Sequence, residues 1–416
     1  MANVMTPVDV YAVVNSMAES MFGSETSLKA KDTSTFVTVG EAMLRQGYEN
    51  TLNALSLAMG RAIFAVRPYT GKFKIITRTE QEYGAIKRKI SYFYDPAEPS
   101  QDWNTDITNN QLFDGKSIDH YKIRKRYPLE IHFVGLKVIQ KHFTRFRDQL
   151  KLAFRNEEEF GRYYYGLLVE VNNELELMRE SENRLHVLNH IGAVYNTGSA
   201  TMKVDLTDGF NKKFGTSYTS AQLRSEHLKE FLAYMVSVIK YTSRMMTEFN
   251  TLYHLTPKKT NDAGEDLVLL RHTPMADQRL LLLEPLMIDA ESLVLPQIFN
   301  DQYLKIANYE GVNYWQNPVD PGAVQVTPNQ LNVSTGASET GAAVEIPYVV
   351  GMLFDRDALV TAYHMEDVLT TPVNAAGNYY NTFYHWAKDY QDDLTENTVI
   401  FYMADPGLNA GSQKEA

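Results

Sequence analysis

A helical repeat of unusual length constrains this chain more than any other feature. Asn156 is a favourable N-cap residue, and Glu157–Glu159 place acidic side chains in the first helical turn. Apolar residues then recur at steps of mostly three or four: Phe160, Tyr164, Leu168, Val171, Leu175, Met178, Leu185 and Leu188. A helix that ended at Gly192 would be roughly 54 Å long, at 1.5 Å per residue. A rod of that length with one narrow apolar stripe predicts a spine that lies against a sheet.

Two strand-like segments flank a polar, acidic connection. Residues 72–94 and 119–134 carry strand-forming residues, and YPLEIHFV alternates apolar with polar side chains. The sequence between them, PAEPSQDWNTDITNNQLFDGKS, is rich in turn-forming residues, and its acidic side chains are opposed only by Lys116. A long two-stranded hairpin is marginally stable alone in water, so it needs a surface to lie on.

The hairpin has two possible surfaces, and the sequence leaves both open. It could fold back on its own domain, or it could project onto another subunit with its acidic tip against a basic surface. The second interpretation predicts a subunit interface that includes Lys87, Arg88, Lys89, Asp102, Trp103, Asp106, Asp114, Arg124 and Arg126.

Composition narrows the class of protein. The formal net charge of −11 argues against a dedicated nucleic-acid-binding protein, since phosphate affinity needs clustered Lys and Arg. The absence of cysteine excludes disulfides and thiolate metal sites. The sequence has neither a signal-peptide pattern nor an apolar run long enough to cross a bilayer. We therefore predict a soluble protein, or a component of a soluble assembly, with no membrane partner.

Few residues suggest chemistry. Glu182, His186 and His190 are spaced at fours on the predicted long helix, which is a possible metal-binding spacing, although a solvated polar face has the same pattern. A basic stripe could likewise face phosphates or form a solvated helix face: Lys141, Arg145, Arg147, Lys151 and Arg155. We favour the solvated face in both cases, and predict no catalytic residues, no metal site and no cofactor.

An aromatic run lies near the end of the chain. Seven residues between Tyr379 and Tyr390 are aromatic or histidine, and a second strand-like segment, NTVIFYM, follows after DYQDDLTE. A ligand cage would need a nearby acid, base or glycine turn, so the pattern favours two sheet strands joined by an acidic connection. The predicted structural strand contains Tyr379, Tyr380, Phe383, Tyr384, His385 and Trp386.

The same residues resemble a known family. GNYYNTFYHW at Gly377–Trp386 resembles the aromatic C-terminal strand of the major capsid proteins of phi-29-type short-tailed phages. The upstream LFDRDALVTAYHMEDVLTTPVNAAG, with His364, Met365 and Glu366, is similar to the preceding strand pair of that family. LKEFLAYM at Leu228–Met235 is similar to a helix of its axial domain, and RTEQEY at Arg78–Tyr83 to a strand of its extended loop. These fragments occur in the order of the family.

The resemblance implies an α+β chain with the Hong Kong 97 (HK97) phage capsid fold. The implied divisions are an N-terminal arm and helix (1–70), an extended β-hairpin loop (71–135), a peripheral domain with the spine helix (136–196), an axial domain (197–342), peripheral-domain strands (343–405) and a flexible tail (406–416).

The implied function is that of a major capsid protein rather than an enzyme. Its copies would form pentamers and hexamers of an icosahedral head around double-stranded DNA, together with a scaffolding protein and a portal. The expected location is the virion, after assembly in the host cytoplasm. The alternatives are an encapsulin-type compartment shell and, in a different class, a soluble metal-dependent enzyme that uses Glu182, His186 and His190.

Overall fold

The structure is a computed structural model, and it describes residues 7–23, 26–46, 71–78, 86–95, 121, 125–134, 137–146, 157–261, 264–293 and 309–406. The helices are α1 (Pro7–Phe22), α2 (Thr33–Gln46), α3 (Glu157–Thr197), α4 (Leu206–Phe214), α5 (Ser220–Ser225), α6 (Leu228–Met246) and α7 (Glu284–Leu293). The first strands are β1 (Thr77–Arg78), β2 (Ile86–Tyr92), β3 (Pro128–Val134), β4 (Lys137–Phe146), β5 (Lys203–Asp205), β6 (Gln278–Leu283) and β7 (Tyr309–Val312). The later strands are β8 (Val324–Val326), β9 (Asn329–Leu331), β10 (Ser338–Thr340), β11 (Val344–Ile346), β12 (Tyr348–Asp355), β13 (Leu359–Thr370), β14 (Tyr379–Asp392) and β15 (Thr398–Met403).

The chain divides into two compact units. The first consists of residues 1–85, 134–187 and 360–391, and the second of residues 86–133, 188–359 and 392–416. The long helix α3 contributes to both, because the division falls between Val187 and Leu188.

The first unit is built on a four-stranded sheet in the order β1-β13-β14-β4. Strands β14 and β4 are antiparallel, and their register runs from the pair Tyr379 and Phe146 to the pair Lys388 and Lys137. Side chains of β14 enter two apolar clusters, one with α1 and α2 and the other with α3. The apolar face of α3 therefore lies against a sheet, as its sequence predicts.

The second unit is built on a five-stranded sheet in the order β5-β15-β12-β6-β7. Its centre is β12, which pairs with β15 on one side and with β6 on the other. All eight residues of β12 are buried, and so is the leucine run Leu280–Leu283 of β6. A strand buried on both faces reads as a continuous apolar run, which is the pattern of both segments.

The two compact units differ from the predicted domains, whose boundaries stay a prediction. The sequence predicts that residues 343–405 share the domain of the spine helix, whereas 343–359 and 392–405 lie in the second unit with 188–342. The physical reason is strand pairing: β12 bonds to β6, and β15 bonds to β12 and β5, all within that unit. Residues 86–133 of the predicted extended loop also belong to the second unit, while 71–85 belong to the first.

Four short strands follow β7 in the sequence. Strand β8 pairs with β11, and β9 pairs with β10, in two small antiparallel sheets. Among the described residues, no helix combines the length and the hydropathy that crossing a membrane requires.

Candidate functional site

The strand pair β2–β3 has two different faces. Successive side chains of a strand point to opposite sides. On β2 and its continuation, Ser91 and Phe93 are buried, whereas Ile90, Tyr92 and Tyr94 are 49%, 61% and 52% exposed. The backbone N–H of Phe93 donates to the Tyr127 carbonyl at 3.1 Å, which joins the two strands near this end. The strand pair therefore presents an apolar row to solvent, while its other face packs against the rest of the second unit.

The buried face of β2 is fixed by charged groups. The Lys89 ammonium pairs with the carboxylates of both Asp393 and Glu396, which lie in the connection between β14 and β15. Arg271 donates from Nη2 to the Ser91 hydroxyl at 2.9 Å and from Nε to the Thr395 carbonyl at 3.0 Å. We call this set the root cluster: Lys89, Ser91, Arg271, Asp393, Thr395 and Glu396.

Backbone bonds extend the same attachment. The N–H of Tyr94 donates to the Val268 carbonyl at 2.7 Å. The Lys259 ammonium donates to the Pro128 carbonyl at 2.9 Å and lies 5.9 Å from the centre of the Phe93 ring. Both strands are therefore attached to the segment between α6 and β6.

Burial shifts the proton equilibria at the root cluster. Burial raises the pKa of Glu396, and the neighbouring Lys89 and Arg271 cations oppose that rise. Burial also raises the pKa of Asp355, on β12, although its carboxylate accepts from the Thr273 hydroxyl at 2.8 Å. Glu396 in the root cluster, and Asp355 near it, therefore take up protons more readily than exposed carboxylates do.

The structure places four of the nine predicted interface residues. Lys89 belongs to the root cluster, so its ammonium is paired within its own subunit. Arg88 pairs across the two strands with Glu130, Lys87 is half-buried, and Arg126 is exposed. The other five lie outside the described residues: Asp102, Trp103, Asp106, Asp114 and Arg124. The assignment of these residues to a subunit interface stays a prediction.

The metal hypothesis finds no support. His190 Nδ1 lies 2.6 Å from an Asp392 carboxylate oxygen, and His186 Nδ1 lies 3.0 Å from the Thr361 hydroxyl. Glu182 pairs with Lys388, whose pKa burial lowers to about 8, with the nearby Lys137 charge adding to the effect. Across the described part of the chain, no group of three or more His, Cys, Asp or Glu side chains could hold a metal ion.

The predicted solvated face of the long helix is also wrong. His186 is 7% exposed and His190 is 0% exposed, because each finds a hydrogen-bonding partner in the interior. Leu185, expected on the apolar stripe, is instead 63% exposed.

The basic stripe is not a helix face. Lys141 and Arg145 lie on strand β4, and residues 147–155 lie outside the described part of the chain. Lys141 pairs with Glu174 at 2.9 Å, and Arg145 is buried with its Nη2 3.4 Å from the Tyr384 hydroxyl. Both cations therefore bind partners within the first unit.

The aromatic run forms strand β14, and its two faces differ. Tyr380, Tyr384 and Trp386 are buried, and they enter the two apolar clusters of the first unit. Tyr379, Phe383 and His385 alternate with them and are only partly buried. The run therefore contributes to the core on one face and to an open sheet face on the other.

The open face continues onto β4. Phe383 stacks on His142 with ring centres 5.1 Å apart, and Phe146 meets Tyr379 edge-on at 6.1 Å. His385 stacks on Phe383 from the same strand at 6.3 Å. We call this the open aromatic face: Val138, His142, Phe146, Tyr379, Phe383 and His385. The β4 residues of this face, Val138, His142 and Phe146, are not among the predicted site residues. The alternation of apolar and polar residues in HFTRF is a strand signal that could have indicated them.

Comparison with known proteins identifies the family. A family model described as Phi29-like phage major capsid protein matches residues 14–402. The chain belongs to the Phi29-like phage major capsid protein family. This major capsid protein is thus a structural protein of the icosahedral phage head and a component of the virion. Neither an encapsulin-type shell nor a metal-dependent enzyme is favoured.

Two solved structures are similar to this capsid protein. It is similar to a chain in the capsid structure of Staphylococcus phage Andhra, with 12% identity and a TM-score of 0.52, over 80% of this chain and 84% of that chain. A chain in the structure of the head fibre and inner core protein gp22 of bacteriophage P68 matches with 11% identity and a TM-score of 0.48, over 80% and 84%. The Andhra similarity, together with the family, supports the α+β HK97-type capsid fold. No curated protein matches the sequence significantly.

Proposed function

We propose that copies of this capsid protein form the pentamers and hexamers of the head, and that the strand pair β2–β3 of each copy lies on a neighbouring copy. The observation that carries the proposal is the exposed row Ile90, Tyr92 and Tyr94 on a strand pair whose other face is already attached to its own unit. Exposed apolar rows on a rigid support are typical of protein–protein contacts. A contact of this kind, repeated around a closed shell, gives stability from individually weak interactions.

The open aromatic face is the proposed receiving surface. Its rings and two imidazoles lie on a paired two-strand support, so little conformational entropy is lost when a partner covers them. Within the connection between β2 and β3, residues 95–119 have an excess of acidic residues in their sequence: Asp95, Glu98, Asp102, Asp106, Asp114 and Asp119 against Lys116. Repulsion between these acidic connections disfavours contacts between the strand pairs of two copies.

The remaining partners follow from the role of a head protein. We propose a scaffolding protein during assembly, a portal at one vertex, packaged double-stranded DNA without sequence specificity, and assembly in the host cytoplasm. The net charge of −11 supports a container that does not grip its DNA, because a strongly basic lining would hold phosphates tightly.

The test removes the connection between the strands. Replacing Asp95–Asp119 with a short Gly/Ser linker should leave soluble, folded subunits that fail to form closed shells. Light scattering would measure the mass of the assemblies, and negative-stain microscopy would show their shape.

A variant that changes only charge separates the electrostatic contribution of the acidic connection from the contribution of the strand pair itself. Asp102, Asp106 and Asp114 changed to Asn should retain the strand pair but assemble more slowly, with less dependence on salt. Closed shells of normal size from the linker variant would contradict the proposal.

A further inference from the structure

We propose that Lys89 is a latch that fixes the strand pair β2–β3 on the rest of the second unit, and that proton uptake by the Glu396 carboxylate opens the latch. The role of the latch in assembly rests on the proposed function of the strand pair. The latch itself is a property of one subunit and can be tested without assembly.

Two side chains provide the charged part of the attachment. Lys89 points inward from β2, whose alternate residues Ile90 and Tyr92 point to solvent, and pairs with Asp393 and Glu396. Arg271 reaches the same strand at Ser91 from the segment before β6, and lies 3.5 Å from the Glu396 carboxylate. Lifting the strand requires both of these contacts to break, in addition to the backbone bond from Tyr94 to Val268.

The carboxylates stay in place when the strand lifts, because the connection that carries them has its own bonds. The Asp393 N–H donates to the Ala358 carbonyl at 2.7 Å, and its carboxylate accepts from the Thr395 hydroxyl at 2.7 Å. The Asn397 carbonyl accepts from the Asp355 N–H at 2.9 Å. When the strand lifts and Lys89 leaves, the buried carboxylates of Asp393 and Glu396 share one remaining cation, Arg271. Repulsion between two buried negative charges is poorly screened, so this arrangement is unfavourable.

The sign of the pH response follows from that arrangement. Lys89 lowers the pKa of Glu396 in the latched state, while burial raises it in both states. The open state therefore has the higher Glu396 pKa and binds a proton more readily. The latch contributes fully above the open-state pKa, and its contribution is lost as the pH falls through the latched-state pKa.

Other charged groups near the latch do not reverse this sign. They come from each neighbouring element: Asp393 and Glu396 from the β14–β15 connection, Arg271 from the segment before β6, Asp355 from β12, and His254 from the segment after α6. Protonation of any carboxylate in this set removes a negative partner from Lys89.

Hydrogen exchange of the full-length subunit tests the latch. Rates corrected for intrinsic exchange would be measured by mass spectrometry in peptides that cover β2 and, as an internal reference, β12. In the wild type, β2 should lose protection as the pH is lowered from neutral into the acidic range, while β12 keeps it. Lys89→Met should exchange in β2 roughly tenfold faster or more already at neutral pH. Lys258→Met, which removes an exposed lysine of the same unit, should match the wild type.

A second variant keeps the test decisive if Lys89→Met folds poorly. Asp393→Asn with Glu396→Gln replaces both carboxylates that pair with Lys89 by neutral amides, so β2 exchange should lose most of its dependence on pH. The latch is wrong if Lys89→Met protects β2 as the wild type does, or if the Asn/Gln variant keeps the full pH response. The two proposals can fail separately. Exchange that follows the latch, together with normal shells from the linker variant, would contradict only the proposed function. Exchange that does not follow the latch, together with failed assembly of the linker variant, would contradict only the latch.

Discussion

At the scale of single residues, hydrogen-bonding partners decide burial as much as polarity does. On α3, Asn183 and His190 are 0% exposed, whereas Leu177 and Leu185 are 70% and 63% exposed. A buried polar group is stable where its partners are present, and each of these two has one. Spacing along the helix shows which residues share a face but does not show what that face meets.

His254 should make the stability of the second unit depend on pH. Its Nε2 lies 3.1 Å from the Leu269 carbonyl, and burial lowers its pKa below the ordinary 6.5. The unfolded chain therefore takes up a proton before the folded one does. The stabilisation is complete above about pH 6.5 and is lost as the pH falls through the lower folded pKa.

Denaturation of His254→Asn across that range measures the effect. The difference in unfolding free energy between wild type and variant should shrink as the pH falls from neutral to about 5. Replacing the exposed His272 with Asn is the control. A constant difference at every pH would exclude a buried neutral imidazole.

Gly351 should tolerate no side chain. A Cβ there would lie 2.5 Å from the Leu281 carbonyl oxygen and 2.5 Å from a methyl of Leu282, on the neighbouring strand β6. Backbone cannot move aside as a flexible side chain can, so Gly351→Ala should lower the unfolding free energy by about 1–3 kcal/mol. Ser338→Ala, on the exposed strand β10, is the control. Equal stability of the two variants in a denaturant titration would contradict the packing of β12 against β6.

At the scale of elements, the presence of a strand to pair with decides whether a segment forms a strand or a helix. Residues 137–146 have charges at helical spacing, yet they form β4, because β14 offers a ten-residue partner in register. The aromatic run of β14 was predicted correctly as a strand. Its alternation fits a sheet with one buried and one open face, as the burial of Tyr380 and Tyr384 on one side indicates.

The start of α4 depends on its cap. The Asp205 carboxylate accepts from the Thr207 N–H at 2.9 Å and from the Asp208 N–H at 3.3 Å. Asp205→Ala should therefore lower the unfolding free energy by about 1 kcal/mol. Asp205→Asn keeps an acceptor oxygen and should retain most of the stability, as thermal unfolding would show. If the Asn variant lost as much as the Ala variant, the cap would not be the cause.

At the scale of the whole molecule, the proposed contact between copies rests on the exposed apolar row of the strand pair β2–β3. Tyr92 is 61% exposed in the middle of its apolar row. Tyr92→Asp should give a subunit with normal stability and greatly reduced assembly, because a charge would be buried in each repeated contact.

Sedimentation of assembly reactions checks this expectation. Val319→Asp, at an 89% exposed apolar residue of a different loop, is the matched control and should assemble normally. If Tyr92→Asp formed normal shells, the proposal that this apolar row contacts a neighbouring copy would be wrong.

The sequence by itself determined the long helix, the aromatic strand, the strand pair and, through the resemblance, the capsid fold. Each of these is encoded by local periodicity or by a run of residues read in order. Only the tertiary structure decided that β12 and β15 share a sheet with β6, and that Lys89 pairs within its own subunit. Those outcomes depend on partners that are distant in sequence, such as Glu396, which lies 307 residues from Lys89, and no local pattern carries that information.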